Sequence, residues 1–120
     1  MKVEYVYFIG FINSHSDDVY IKIGKAKDIK RRISNLQCGN PFELMEFARV
    51  VVKTKDKSFD AHTLEDWFRE AYKSCHVRGE WYCLNRDKWS EYMKSENVII
   101  GEDYWQNQIS FELHENMDLL

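Results

Sequence analysis

The chain has 120 residues, 44% apolar and 15% aromatic, which suits one globular domain and leaves no room for a second core. No apolar run approaches the roughly 20 residues that span a bilayer, and the N-terminus lacks a secretory signal pattern. The 17 basic and 20 acidic residues give a net charge of −3, which taken whole argues weakly against a nucleic-acid partner.

That average hides a division. Residues 1–84 carry 14 Lys/Arg and 12 Asp/Glu, whereas residues 85–120 carry 3 and 8. Six basic residues and a single acid, Asp28, fall between Lys22 and Arg32. Cys38, Cys75 and Cys83 are odd in number and irregularly spaced. They argue against a disulfide framework and for a reducing compartment inside a cell, cytoplasm or nucleus.

In chain order, Val3–Ile9 is β-branched and aromatic and predicts a strand. Asn13–Asp18 is turn chemistry, and Val19–Ile23 predicts a second strand, so the chain opens as a hairpin with a long loop. Gly24 ends that strand. Ile29, Ile33 and Leu36 recur at helical spacing with Asp28 placed to cap, and Cys38-Gly39-Asn40-Pro41 stops the helix. Leu44–Val52 predicts a third strand, and Lys53–Lys57 a solvated loop. Leu64, Trp67, Phe68, Ala71 and Tyr72 mark a second amphipathic helix. Ser74–Gly79 reads as a connection and Glu80–Leu84 as a short element. Asn85 is placed to cap a third helix carrying Trp89, Tyr92 and Met93; Val98–Ile100, a Gly101–Asp103 turn and a mixed acidic tail follow.

The expected fold is therefore α+β: a small, mainly antiparallel three-stranded sheet flanked by helices, in a β-β-α-β-α-α core. The core would span 1–84, with 85–120 an acidic C-terminal extension packed on the same domain.

Three groups of polar residues fall where chemistry could occur. On the first helix Arg32 lies at the edge of the apolar stripe, while Arg31 points to solvent. Arg32 can serve simply to cover the rim of the core. On the second helix Glu65 takes a similar boundary position, where a carboxylate can hold a hard cation that keeps several waters. On the hairpin, Tyr5 and Tyr7 share one strand face and Phe8 takes the other, while Lys22 shares a face with Tyr20. Cys75, His76 and Cys83, with His62 upstream, fit no common zinc-ligand spacing.

Read jointly, Tyr5-Val6-Tyr7, Lys22-Ile23-Gly24, Arg32 eight residues after Gly24, and Leu64-Glu65 resemble the GIY-YIG endonuclease superfamily. The segments Lys22-Ile23-Gly24, Leu36–Pro41 and Arg78–Tyr82 are similar to its phage- and virus-associated branch, also found in fungal meiosis-linked proteins. The resemblance covers residues 3–84. It departs from the pattern in four places: the first motif lacks its glycine, Lys22 replaces the tyrosine of the second, the hairpin loop is longer than in the shortest members, and Leu36 stands where many members have a histidine.

The resemblance implies a metal-dependent DNA endonuclease, with a virus among the origins it allows. Glu65 would bind Mg²⁺ or Mn²⁺. Arg32 would offer planar donors to the scissile phosphate. Tyr7, with Tyr5 as its fallback, would serve as general base or position the water. A free tyrosine has a pKa of about 10, so a base role calls for a nearby cation, for which Lys22 is the candidate; Lys22 could instead touch the phosphate. Lys25, Lys27, Tyr5 and Asn40 are the expected substrate contacts, although Asn40 fits a turn better. Glu80 reads as a partner of Arg78 or of a backbone amide. Two other readings stay open. One is a DNA-binding module of the same fold without activity. The other is a protein-interaction domain using the Trp/Tyr content of residues 81–105. The acidic extension could pack as ordinary structure, cover the basic strip, or meet the strip of a second subunit in a homodimer.

Overall fold

The computed structural model describes residues 2–13, 15–54, 61–91 and 110–115. They form an α+β domain around one antiparallel sheet. Strands β1 (Lys2–Ile12), β2 (Asp18–Ala26) and β3 (Met45–Thr54) are joined by β4 (His76–Arg78), β5 (Trp81–Asn85) and β6 (Ser110–Glu115). Helix α1 (Ile29–Gln37) follows the hairpin and α2 (Ala61–Ala71) precedes a short 3-10 turn, Lys73–Cys75. A further helical stretch covers 86–91. The spatial order is β4-β5-β2-β1-β3-β6, with β1 central.

The sheet thus has six strands, where three were expected. Those three form its middle. Two of the additions come from the segment read as a connection and a short element; the third comes from the acidic tail. Residues 110–115 pair antiparallel with β3, so β3 and β1 lie between them and β2. The expected contributions of Lys55–Lys57, Tyr92, Met93, Val98–Ile100 and the Gly101–Asp103 turn lie outside the described residues. No helix among the described residues is long and apolar enough to cross a membrane.

Local chemistry explains the element boundaries. Asp28 caps α1 with its carboxylate, accepting from the Arg31 backbone N–H at 3.1 Å. Just past α1, Gly39 sits at φ +78°, a left-handed turn that costs glycine little. Asn85 caps the 86–91 helix through Oδ1, which accepts from Lys88 N at 2.7 Å.

The helices pack on opposite faces. Alternation along β1 sends Val6 and Phe8 to one face, where they meet Leu64, Phe68 and Tyr72 of the α2 side together with Ile21, Ile23 and Trp89. Tyr7 and Ile9 go to the other face, packing with Ile29 and Leu44, and with Phe11, Ile33, Leu36 and Trp81 at its margin. A bulge in the β1–β3 pairing between Phe8 and Ile9 leaves Phe47 as the extra residue on β3. It joins the α2-side core, 5.9 Å from the Trp89 ring.

Candidate active site

The site forms where β2 outruns β5. Pairing between the two ends at Lys22↔Trp81, and the last link is Ile23 N–H to Glu80 O at 3.3 Å. Beyond that point β2 continues through Gly24 to Ala26. At this open corner, side chains from both faces approach one another.

Tyr7 arrives from the α1 face. It is directly opposite Gly24 in the hairpin register, and its ring lies across that glycine. A Cβ on Gly24 would stand 2.3 Å from the Tyr7 hydroxyl and 2.5 Å from its Cζ. The missing side chain at residue 24 is therefore what lets the phenol reach over β2 toward the corner. Tyr7 is 1% exposed. Burial raises its pKa above the ordinary tyrosine value; Arg32 opposes the shift, Glu80 and Glu65 add to it, and Arg69 opposes it. Tyr7 is thus a neutral phenol at neutral pH, and the cation that acts on it most is Arg32, exposed on α1.

Glu65 arrives from the α2 face, 5% exposed. Burial raises its carboxyl pKa, and Arg69, one helical turn further on, opposes the shift. Arg69 ion-pairs with Glu65 Oε1 and, through the same Nη2, with Glu80 Oε1 at 2.6 Å. Glu80 in turn reaches Lys22 through Oε2 at 3.3 Å. A continuous ionic chain therefore runs Glu65–Arg69–Glu80–Lys22, crossing from α2 over the start of β5 to β2. Lys25 also bears on Glu65, stabilising its charged form.

Of the residues expected from sequence, Arg32 and Glu65 both bear electrostatically on Tyr7, in opposite directions. Lys22 is held by Glu80, and it is not among the groups that shift Tyr7. Tyr5 packs instead beneath Arg49, whose guanidinium carbon lies 5.3 Å from the ring centroid, and Arg49 is clamped by Glu46. Lys25 and Lys27 are exposed, as are Lys30 and Arg31, so the strip presents its charge to solvent. Asn40 closes a turn: its Oδ1 accepts from Phe42 N–H at 2.9 Å. Glu80, read from sequence as a partner of Arg78 or of a backbone amide, instead joins Arg69 and Lys22 through its side chain.

Two residues of this region were not singled out in the sequence. Arg69 carried a signal, the i,i+4 spacing from Glu65 that favours a carboxylate–guanidinium pair on one helix face. Gln37 carried none. It ends α1 and folds back over the next loop, donating from Nε2 to Phe42 O at 2.8 Å and Asn40 O at 3.2 Å and accepting from Leu44 N at 2.7 Å.

For a divalent cation, Glu65 offers one buried carboxylate, with one oxygen engaged by Arg69. No group of three or more His, Cys, Asp or Glu side chains suited to a metal occurs among the described residues. An ion of the Mg²⁺ type uses only one or two carboxylates and completes its shell with water and substrate oxygens, so this donor set fits it.

A family model, the T5orf172 domain, matches residues 4–96. That family is of the GIY-YIG-like, phage-associated nuclease type. No curated protein and no solved structure gives a significant match.

Proposed function

Because the chain belongs to the T5orf172 domain family, we propose that it is a divalent-metal-dependent endonuclease hydrolysing DNA phosphodiester bonds at the β2 corner. The family type is compatible with a nuclease or DNA-binding module. The observation that carries the more specific reading is that Arg32 of α1 and Glu65 of α2 both bear electrostatically on Tyr7 of β1, whose ring lies over the bare backbone at Gly24.

Phosphodiester hydrolysis needs a positioned water, neutralisation of phosphate charge and stabilisation of the leaving oxygen. Glu65 would hold Mg²⁺ or Mn²⁺, which supplies Lewis-acid neutralisation of charge at the phosphate and leaving oxygen. Arg32 holds the phosphate by paired N–H donors from the exposed side of α1. Tyr7, neutral and fixed over Gly24, orients the attacking water by hydrogen bonding. Arg69 favours the charged form of Glu65 against the burial that raises its pKa. Lys25, Lys27, Lys30 and Arg31 extend the phosphate-binding strip from the end of β2 into the first turn of α1.

The test is nicking of supercoiled plasmid with Mg²⁺ or Mn²⁺. Cleavage is expected in the wild type and lost by at least about a hundredfold in Glu65→Gln and Arg32→Ala, with thermal melts confirming the fold. Full activity of Glu65→Gln would sink the site. Salt-sensitive DNA binding with no cleavage under any divalent metal would leave the binding-module reading in its place.

A further inference from the structure

Beside the corner lies a cleft of about 500 Å³, lined by Phe11, Phe42, Trp81, Leu36, Lys22 and Asn40 among others. We infer that this cleft receives one unpaired nucleobase of a DNA strand, so that the substrate class is DNA with an unstacked or single-stranded base beside the scissile phosphate. The inference rests on the nuclease reading and adds to it the form of DNA selected.

The first support is the arrangement of rings. Phe11 stacks between Tyr20 and Phe42, at 5.1 Å and 13° to one and 4.4 Å and 7° to the other. Flat parallel rings at this spacing continue the geometry of stacked bases, which any base can join by its π face. The stack ends on Phe42, which is 53% exposed. A large aromatic ring at the open end of a parallel stack is a platform awaiting another ring.

The second support is that this platform is built rather than loose. The three Gln37 hydrogen bonds, the Asn40 turn and the left-handed Gly39 hold the loop carrying Phe42. The ring is therefore positioned before any ligand arrives, which lowers the ordering cost of binding.

The third support is charge and continuity. No carboxylate lines the cleft, and Lys22 does. Lys22 is also the last member of the ionic chain that leads back to Glu65. A strand whose phosphate sits against Arg32 and the exposed lysines would have its base near the cleft mouth. Asn40 uses Oδ1 within its turn, which leaves its side-chain NH₂ as a donor for a base edge. The cleft is open and shallow, so a base would lie on the Phe42 ring rather than be enclosed. A base stacked inside a duplex has no free π face to offer it, whereas an unstacked one has.

The experiment uses the full chain without metal and fluorescein-labelled oligonucleotides: single-stranded DNA, the matched duplex, and the duplex with one unpaired 2-aminopurine. Anisotropy should show the single strand and the interrupted duplex binding roughly tenfold or more tighter than the matched duplex. The 2-aminopurine emission should change on binding. Phe42→Ala and Phe42→Leu should both remove the preference and the emission change, while matched-duplex binding stays as in the wild type. Equal binding of all three DNAs by the wild type would overturn the base pocket and leave the nuclease reading intact. Retention of the preference in Phe42→Leu would also overturn it, since apolar contact alone would then suffice. A concentration-dependent dimer dissolved by Phe42→Ala would assign the ring to self-association and overturn it too. Absence of any DNA binding at low salt would overturn both readings.

Discussion

The two faces of the sheet use aromatic rings in opposite ways. On the α2 face the rings meet edge to face: Phe8 and Phe68 at 5.0 Å and 82°, Phe8 and Trp89 at 5.6 Å and 68°. Each edge is buried in a neighbour's face, and Phe8, Phe68, Tyr72 and Trp89 are all but inaccessible. On the α1 face the outer rings lie parallel and the series stays open at Phe42. An interlocked edge-to-face set leaves no π surface for a visitor; a parallel set always leaves one at each end. The difference separates a face that supplies stability from a face that can supply recognition, with the ionic chain at the β2 corner joining the two.

The sharpest way to break that comparison is to remove one ring from each face. Phe68→Ala should lower unfolding free energy by about 3–5 kcal/mol, a large share of the roughly 5–15 kcal/mol typical of a domain. Phe42→Ala should change it by only about 0.5–1.5 kcal/mol, the worth of its stacked pair with Phe11. Urea denaturation of both variants measures the gap. Similar losses would mean that the α1 face carries as much of the fold as the α2 face.

A smaller effect tests the corner where the faces join. Gly24→Ala places a methyl 2.3 Å from the Tyr7 hydroxyl, so the phenol must swing away from the corner. Overpacking of this kind costs about 1–3 kcal/mol. If the cost arises from Tyr7, it should shrink by at least about 0.5 kcal/mol when measured in a Tyr7→Ala background. An unchanged penalty in that background would place the strain in the β2 backbone and deprive Gly24 of its role in aiming Tyr7.

The middle of this fold was legible because its residues declare their surroundings locally. The Tyr5-Val6-Tyr7-Phe8 alternation separates the two faces, Asp28 marks the start of α1, and Leu64, Phe68 and Tyr72 trace the buried side of α2. The outer strands were not legible in the same way. His76–Arg78 is exposed at all three residues, so no alternation signals a strand; pairing with β5 makes it one. Ser110–Glu115 is a strand because β3 offers it an edge. The site divides similarly. Tyr7, Arg32 and Glu65 stand out through the family resemblance; helical position alone puts Arg32 and Glu65 only at the edge of an apolar stripe. Glu80 reads from sequence as a partner of Arg78 or of a backbone amide, because nothing local indicates that α2 brings Arg69 and β2 brings Lys22 to it. Gln37 was silent because its role depends on the loop returning to Leu44.

The smallest effect concerns how dry the α1 face is beneath its open rim. Burial holds the Tyr7 pKa above its ordinary value of 10.0. Below that value the residue carries its proton in both the folded and unfolded chain, and its contribution to stability is fully present. As pH rises past about 10, the unfolded chain releases its proton first, so stability falls until the pH passes the folded value. Tyr20 is shifted the same way by its hydrogen bond to Cys83, and Tyr82 by burial, so the wild type should show a combined alkaline loss. Tyr7→Phe should remove one part of it. The measurement is the urea midpoint at about pH 8 and about pH 10.5 for both proteins, with a larger drop expected in the wild type. Equal drops would mean that Tyr7 ionises as readily folded as unfolded. Water would then reach its hydroxyl freely, and the α1 face would be open at the corner as well as at Phe42.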